Sequence, residues 1–269
     1  MGIKERIKKN AFLSKIALRW VHFKVAKRQR KENKEILKGW KTLKDIHKGD
    51  RCFIIGTGPS LTVADLEKLN NEITFATNRI YELFPKTEWR PTYYVNQDHN
   101  LISTFTDKIR MVRAEKLFLP VDYKNQFEQE NIQFFVLKHK EFFPKRAPFS
   151  KNIQNWLCQG FTVTYGAIQI AAYMGFSEIY LLGIDHNYNI FRDAKGNIVR
   201  EKEVGNNYSK GLQEYINVSV LPRIEETTIA YETAERESYR NGFRIYNATR
   251  GGKLDAFERK TLEQVLQEK

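Results

Sequence analysis

The sequence predicts an α/β protein in which a doubly wound, mostly parallel sheet follows a basic amphipathic N-terminal helical arm. Three observations predict this fold class. From residue 51 onward, short apolar segments alternate with segments of helical periodicity. Several apolar segments lack polar positions, as strands covered on both faces do. The 269-residue chain is 41% hydrophobic, which is sufficient for one large core. We therefore divide it into an arm over 1–50 and an α/β domain over 51–269.

The arm carries most of the positive charge. Its 50 residues contain 16 Lys/Arg and 5 Asp/Glu, whereas the other 219 residues contain 29 and 27. Residues 3–38 lack proline and glycine, and apolar side chains recur there at helical spacing between cations. This pattern predicts that residues 1–38 bind an anionic membrane surface. The first alternative is a helix docked on its own domain or on a second subunit. The second is nucleic-acid binding, which the near-neutral remainder of the chain disfavours.

The elements of the domain follow one another in a regular order. Predicted strands span 51–56, 72–78, 91–97, 115–120, 132–138, 178–184 and 243–249. Predicted helices lie at 62–70, 99–112, 162–174, 222–241 and 256–267. The polar segment 186–221, rich in Asn and Gly, shows no periodicity, and segments of this length commonly act as lids. We therefore expect a lid at about 186–221.

Several classes of protein are disfavoured by composition and motifs. Cys52 and Cys158 are the only cysteines, and no Cys/His cluster has zinc-site spacing. No apolar run approaches the roughly 20 residues that span a bilayer, and the chain does not start like a signal peptide. Motifs of the types Walker A, D-x-D, H-E-x-x-H and G-x-S-x-G are absent. The sequence thus predicts a cytoplasmic protein, peripheral at the inner face of the membrane, with no metal or cofactor.

Polar segments follow five of the predicted strands. Because the carboxyl ends of parallel strands meet at one edge of a sheet, we expect these segments to form one site. An alternative is that they are ordinary polar turns. The five segments are Gly56-Thr57-Gly58-Pro59-Ser60, Thr77-Asn78-Arg79, Asn96-Gln97-Asp98-His99, Gly183-Ile184-Asp185-His186-Asn187-Tyr188 and Asn247-Ala248-Thr249-Arg250-Gly251-Gly252.

The first of these segments, within FIIGTGPSL at 53–61, has the glycines of a phosphate-binding turn. A dinucleotide fingerprint would place a third glycine at Leu61 and a carboxylate at Asn78, so NAD binding is disfavoured. The backbone N–H groups, with Pro59 and Ser60 suited to opening a helix, predict binding of another phosphate. A plain tight turn is the alternative.

A second anion site is predicted where Gly160 and a Thr-x-Thr pair begin an apolar helix. Thr162 and Thr164 can cap that helix and leave hydroxyl and N–H groups facing the site. An ordinary capped core helix explains the same pattern equally well. Two helix N-termini at one crevice would suit a ligand with a phosphate and a carboxylate.

The ordered segments resemble a known family. FIIGTGPSL, ATNRI, YYVNQD, TVTYGAIQIAAYMGFSEIYLLGIDHNY and RIYNATRGGKLDAFER together are similar to a bacterial surface-polysaccharide family related to the glycosyltransferase family 42 sialyltransferases. The same domain is also named 6-hydroxymethylpterin diphosphokinase MptE-like. The resemblance covers about residues 50–260. It implies a modified Rossmann domain of GT-A type that moves a sugar, with inversion and without a metal, from a CMP-activated nonulosonic acid such as sialic acid to a hydroxyl of a glycan or lipid-linked acceptor.

The resemblance also implies roles for individual residues. Tyr188 would hydrogen-bond the leaving phosphate, since transfer without a metal needs donors that stabilise the departing CMP. The other residues expected to contact the nucleotide-sugar donor are Gly56, Thr57, Gly58, Pro59, Ser60, Asn78, Asn96, Thr162, Thr164, Asp185 and Tyr208.

The general base is where this chain departs from the family. The family's sialyltransferases place a catalytic histidine in the lid, but no histidine follows His186 here. Either His186 or Asp98 then deprotonates the acceptor, or the scaffold carries different chemistry. One alternative is a pterin diphosphokinase-like enzyme using ATP and Mg²⁺, with Asp98 and Asp185 as the available carboxylates. Another is an inactive nucleotide-sugar-binding subunit. The donor sugar, acceptor, linkage and any homo-oligomer stay open.

Overall fold

The structure is a computed structural model that describes residues 34, 36–139, 145–188, 190–192, 198–200 and 222–268. Most of the predicted arm and most of the predicted lid, including Tyr208, lie outside the described residues. Residues 36–43 are helical. Residues 43–269 form a compact unit of their own, and the fold described below belongs to it. No helix in the described ranges is both long and apolar enough to cross a membrane.

Twelve strands lie within the described residues of this unit. They are β1 (Arg51–Ile55), β2 (Thr74–Thr77), β3 (Tyr93–Val95), β4 (Lys116–Pro120), β5 (Ile132–Phe135), β6 (Leu137–Lys138), β7 (Leu157–Cys158), β8 (Glu178–Leu182), β9 (Ile190–Arg192), β10 (Ile198–Arg200), β11 (Arg244–Asn247) and β12 (Glu258–Arg259). Eight of them form one parallel sheet in the order β12-β11-β8-β1-β2-β3-β4-β5. The predicted α/β fold with a mostly parallel sheet is therefore confirmed.

From β1 onward, the described part of the chain contains six α-helices and two 3-10 helices. The α-helices are α1 (Val63–Glu67), α2 (His99–Thr104), α3 (Thr106–Arg110), α4 (Val163–Met174), α5 (Ile224–Asn241) and α6 (Leu262–Gln267), and the 3-10 helices are Ile80–Lys86 and Val121–Gln126. The chain builds the sheet outward from β1 to β5 and then returns to place β8 on the other side of β1. Ligands of such sheets bind at the carboxyl ends of the strands where this reversal occurs, here between β1 and β8.

Three predicted elements differ from the observed ones. The strand predicted at 132–138 divides into β5 and β6, because β6 leaves the main sheet to pair with β7. The helix predicted at 99–112 breaks at Phe105, whose backbone is not helical. The helix predicted at 256–267 begins as β12, which pairs with β11, and the helix starts only at the capping box of Thr261.

Candidate functional site

The loops after β1 and β8 pack directly against each other where the strand order reverses, a position called the switch point below. The Gly56 N–H donates to the carbonyl of Leu182, and the Gly58 N–H donates to the carbonyl of Gly183, both at 2.9 Å. A Cβ on Gly58 would lie 2.7 Å from the Gly183 oxygen and 2.0 Å from Asp185 Oδ2. Close packing of the two loops therefore requires glycine at position 58. The sequence pattern alone could not distinguish this packing role from a role in phosphate binding.

The loop at residues 56–60, here called the glycine loop, already holds the carboxylate of Asp185. Its Oδ2 accepts hydrogen bonds from the Ser60 hydroxyl at 2.8 Å and the Ser60 N–H at 3.4 Å. Burial raises the pKa of Asp185, while the Ser60 hydrogen bonds and the charge of Arg250 oppose that rise. The anion that the predicted phosphate turn holds is thus the protein's own Asp185 carboxylate.

A third loop, which follows β11, completes the arrangement around Asp185. Arg250 donates to both carboxylate oxygens of Asp65, at 2.8 and 2.5 Å, and to the carbonyl of Ser60 at 3.0 Å. Burial raises the pKa of Asp65, but hydrogen bonds from Arg250 and Thr62 outweigh burial and leave that pKa lowered. The half-exposed guanidinium of Arg250 is therefore a fixed positive charge beside the glycine loop.

The predicted cap of α4 is present. The Thr162 hydroxyl accepts from the Thr164 N–H at 3.4 Å and lies 3.3 Å from the hydroxyl of Tyr231. Tyr231 is buried on α5, while Thr164 is buried in the first turn of α4. Since α4 has 12 residues, its N-terminus has a substantial positive dipole end at this edge of the sheet.

His186 lies beside the same tyrosine. Its ring is edge-to-face with Tyr231, at 5.5 Å between centroids, and with Tyr188, at 6.2 Å. Its Nε2 is 2.8 Å from the hydroxyl of Thr228, whereas Nδ1 is buried and has no hydrogen-bond partner among the described residues. Burial lowers the pKa of His186, and the charge of Asp255 opposes this only in part. The imidazole is therefore neutral at pH 7, and Tyr231 connects it to the start of α4.

The ends of β2 and β3 are connected through Tyr94. Its hydroxyl donates to the carbonyl of Asn78 at 2.6 Å and accepts from Asn96 Nδ2 at 3.1 Å. Asn96 is fully buried, and its Oδ1 accepts from the Asp98 N–H at 3.0 Å. This geometry does not favour the predicted contact between Asn96 and a nucleotide, because both ends of its amide are engaged inside the protein. Asn78 is half-buried and stays a candidate.

Asp98 and the residues around it form the far side of the edge. Asp98 is exposed, and its Oδ1 caps α2 by accepting from two backbone N–H groups at 2.8 and 3.1 Å. Gln97 Nε2 donates to the carbonyl of Gln159 at 2.7 Å, which joins the end of β3 to the segment before α4. The His99 and His139 rings lie 5.5 Å apart nearby. The predicted polar segments therefore belong to one edge of the sheet.

Backbone strain is concentrated at this edge. Four non-glycine residues in the described ranges have a positive φ, and three of them, Asn78, Phe161 and His186, lie at the ends of β2 and β8 and at the start of α4. Left-handed backbone in such residues is costly and often marks functional sites. This signal requires coordinates, so the sequence could not have provided it.

Four residues at this edge were absent from the predicted site. Arg250 and Gln97 lie within the polar segments that follow the strands, but their residue types alone did not indicate a role in the site. Tyr231 and Thr228 lie on α5, whose sequence pattern indicates only a helix, so no sequence signal could have found them.

The described side chains do not fit a carboxylate-held Mg²⁺ of the kind that an ATP-dependent diphosphokinase requires. Asp185 Oδ2 is bound by Ser60, and Asp98 Oδ1 caps α2. Among the residues that the structure describes, no group of three or more His, Cys, Asp or Glu side chains is placed to hold a metal ion.

Comparison with known proteins identifies a family and a similar fold. A family model described as 6-hydroxymethylpterin diphosphokinase MptE-like matches residues 27–190, more than half of the chain. The structure of the MAf glycosyltransferase from Magnetospirillum magneticum AMB-1 is similar, with a TM-score of 0.50 and 16% identity. The match covers 86% of this chain and 38% of that chain, so this protein spans well under half the length of that relative. At this identity the likeness concerns the fold. No curated protein sequence matches the chain.

Proposed function

The chain belongs to the 6-hydroxymethylpterin diphosphokinase MptE-like family, and we propose that it is a metal-independent inverting glycosyltransferase of surface-glycan assembly. Its donor is a CMP-activated nonulosonic acid such as sialic acid, and its acceptor is a hydroxyl of a glycan or lipid-linked sugar. The observation that carries this proposal is the meeting, at one sheet edge, of the α4 N-terminus, the glycine loop and a neutral histidine whose Nδ1 has no hydrogen-bond partner within the described ranges.

Departure of CMP requires stabilisation of its phosphate. The N-terminus of α4 and the hydroxyl of Thr162 offer hydrogen-bond donors and a positive dipole end to that phosphate. Arg250 adds a fixed positive charge beside the glycine loop, and Tyr188 is a further hydroxyl donor next to His186. Preorganised donors of this kind supply the charge stabilisation that a metal ion supplies in other transferases.

His186 is the general base of this proposal. Its Nδ1 takes the proton of the acceptor hydroxyl while the acceptor oxygen forms a bond to the anomeric carbon of the donor. The bond from that carbon to the phosphate oxygen breaks, and CMP leaves with the electron pair. Asp98, the alternative base, is less suited because it is exposed and one of its oxygens caps α2. Since Nδ1 is buried, the acceptor reaches it only when the groups covering it move aside.

The MAf protein is named a glycosyltransferase, and the shared fold supports the same reaction class here. The family description supports the alternative, a pterin diphosphokinase-like enzyme using ATP. The lack of fit to a carboxylate-held Mg²⁺ within the described residues favours the transferase.

A ligand screen tests the proposal and separates these alternatives. Thermal unfolding is measured with CMP, UDP, GDP and ATP, each with Mg²⁺ and with EDTA. At about 100 times its dissociation constant, CMP should add about 2.7 kcal/mol, or roughly 5 °C or more. Stabilisation by ATP with Mg²⁺ and not by CMP would overturn the transferase. Stabilisation by CMP without turnover of any CMP-sugar would indicate a binding subunit.

The basic N-terminal segment completes the proposal. Residues 1–38 hold the protein at the anionic inner face of the membrane, where lipid-linked acceptors lie. Co-sedimentation with vesicles containing phosphatidylserine should be lost when residues 1–38 are deleted, and vesicles of phosphatidylcholine alone are the control. Binding that persists after the deletion would contradict this role.

A further inference from the structure

The hydrogen bonds of His186 assign its protons. Thr228 lies on α5 with its hydroxyl 2.8 Å from His186 Nε2 and 2.9 Å from the carbonyl of Ile224. A hydroxyl has one proton, so it can donate to one of these two groups. The carbonyl can only accept, and the hydroxyl proton therefore goes to Ile224. The hydroxyl oxygen then accepts from His186, which places a proton on Nε2.

The opposite assignment is unfavourable at both ends of the ring. If Thr228 donated to Nε2, its oxygen would face the Ile224 carbonyl without a proton between them. The ring proton would then be on Nδ1, which is buried and has no hydrogen-bond partner in the part of the chain that the structure describes. A buried N–H without an acceptor is rarer in proteins than a buried acceptor without a donor. Both considerations favour the tautomer with its proton on Nε2.

We infer that Thr228 is a positioning residue that holds His186 in the Nε2-protonated tautomer and so leaves the lone pair of Nδ1 unpaired. The catalytic meaning of this arrangement rests on the proposed function, because it makes Nδ1 the atom that receives the acceptor proton. The tautomer itself is independent of that function. It is a property of the folded protein that can be measured without any substrate.

Among the groups around the imidazole of His186, Thr228 is the one that selects its tautomer. The rings of Tyr188 and Tyr231 face His186 edge-to-face and limit its rotation. Within the described residues, the imidazole has a single hydrogen-bond partner, the hydroxyl of Thr228. The backbone of His186, at φ 49°, fixes the direction in which the side chain leaves the β8 loop. Packing therefore sets the orientation of the ring, and Thr228 sets which nitrogen carries the proton.

Nitrogen-15 NMR of full-length protein with labelled histidine tests the inference directly. The His186 signals are assigned by their loss in His186→Gln. We expect Nε2 to be protonated and Nδ1 to be unprotonated at pH 7.5. Thr228→Val should change this to a mixture of tautomers or to the Nδ1-protonated form, whereas Thr228→Ser should retain the wild-type pattern. A protonated Nδ1 in the wild type, or an unchanged pattern in Thr228→Val, would overturn the inference.

Thr227→Val is the matched control. Thr227 makes the same kind of bond on the same helix turn, from its hydroxyl to the carbonyl of Arg223 at 2.8 Å. Its loss should leave the His186 signals unchanged, and a change as large as that of Thr228→Val would contradict a specific role for Thr228. Because the wild-type spectrum alone can refute the tautomer, the test survives if a variant fails to fold.

Turnover separates this inference from the proposed function. If the protein releases CMP from a CMP-sugar, Thr228→Val should lower kcat in proportion to the fraction of molecules that lose the Nε2-protonated tautomer in the NMR spectrum, with little change in KM. Thr228→Ser should restore kcat. An unchanged kcat in Thr228→Val would refute the positioning role. A wild type with the expected tautomer but no turnover would refute the transferase and leave the tautomer supported.

Discussion

Replacement of Gly58 by alanine is expected to destabilise the protein by about 2.5 to 6 kcal/mol. The new Cβ would lie 2.7 Å from the Gly183 carbonyl oxygen and 2.0 Å from Asp185 Oδ2, closer than such atoms approach one another. The two loops at the switch point must then separate. If Gly58 served only to let a phosphate approach the backbone, the variant would lose ligand binding and keep its stability.

The magnitude follows from two contributions. Overpacking against the Gly183 backbone costs about 1 to 3 kcal/mol. Displacement of the Asp185 carboxylate breaks its hydrogen bond with the Ser60 hydroxyl, and bonds to charged groups contribute about 1.5 to 3 kcal/mol. These contributions are separable, because Asp185→Ala removes the carboxylate and leaves the backbone contact in place.

Urea unfolding of wild type, Gly58→Ala, Asp185→Ala and the double variant measures both contributions. In the Asp185→Ala background, Gly58→Ala should cost only about 1 to 3 kcal/mol. Thr57→Ala, in the same loop, is the control and should change the free energy of unfolding by less than about 1 kcal/mol. A Gly58→Ala cost below about 0.5 kcal/mol, or the same cost in both backgrounds, would refute the packing argument.

Three further predictions concern the charges at this edge. Arg250→Ala should cost about 1 to 3 kcal/mol in urea unfolding, because it leaves the buried carboxylate of Asp65 unpaired. Lys68→Ala, which removes an exposed ion pair, should cost less than about 1 kcal/mol, and equal costs would contradict this reasoning. Because the pKa of Asp185 is raised on folding, the free energy of unfolding of Asp185→Asn minus that of the wild type should become smaller as the pH falls from 7 toward 3.8 in unfolding titrations. A difference that grows toward acid pH would be contrary evidence. The pKa of His186 is lowered, so protonation favours the unfolded chain, and the stability of the wild type relative to His186→Gln should fall as the pH drops below 6.5. A pH-independent difference would contradict a buried neutral imidazole.

The sheet could be predicted because its signal is local. After a charged first residue, the segments 51–56 and 178–184 are mainly apolar and reach a glycine at Gly56 and Gly183, so their positions and parallel character follow from composition and spacing. The cap at Thr162 was also predictable, since N-caps depend on neighbouring residues. The break at Phe105 was not, because apolar residues on both sides continue the helical pattern through it.

The sequence predicts which edge of the sheet carries the site, but it does not predict which residues contact one another there. Thr162 and Tyr231 are 69 residues apart in sequence, and Arg250 lies 185 residues from Asp65. No local pattern encodes such pairs. The glycines at 56 and 58 predict a phosphate-binding loop. In the structure, Ser60 binds the carboxylate of Asp185, and Gly58 makes room for that carboxylate. The tautomer of His186 depends on the hydroxyl of one threonine on α5, and helical periodicity does not reveal that contact.

Release of CMP from a CMP-activated nonulosonic acid, measured with full-length protein in EDTA, is the most direct test of the proposed chemistry. We expect CMP release that EDTA does not reduce and that His186→Gln lowers by about 100-fold or more. Failure to release CMP from any CMP-sugar, together with Mg²⁺-dependent transfer from ATP, would contradict the transferase and favour a diphosphokinase.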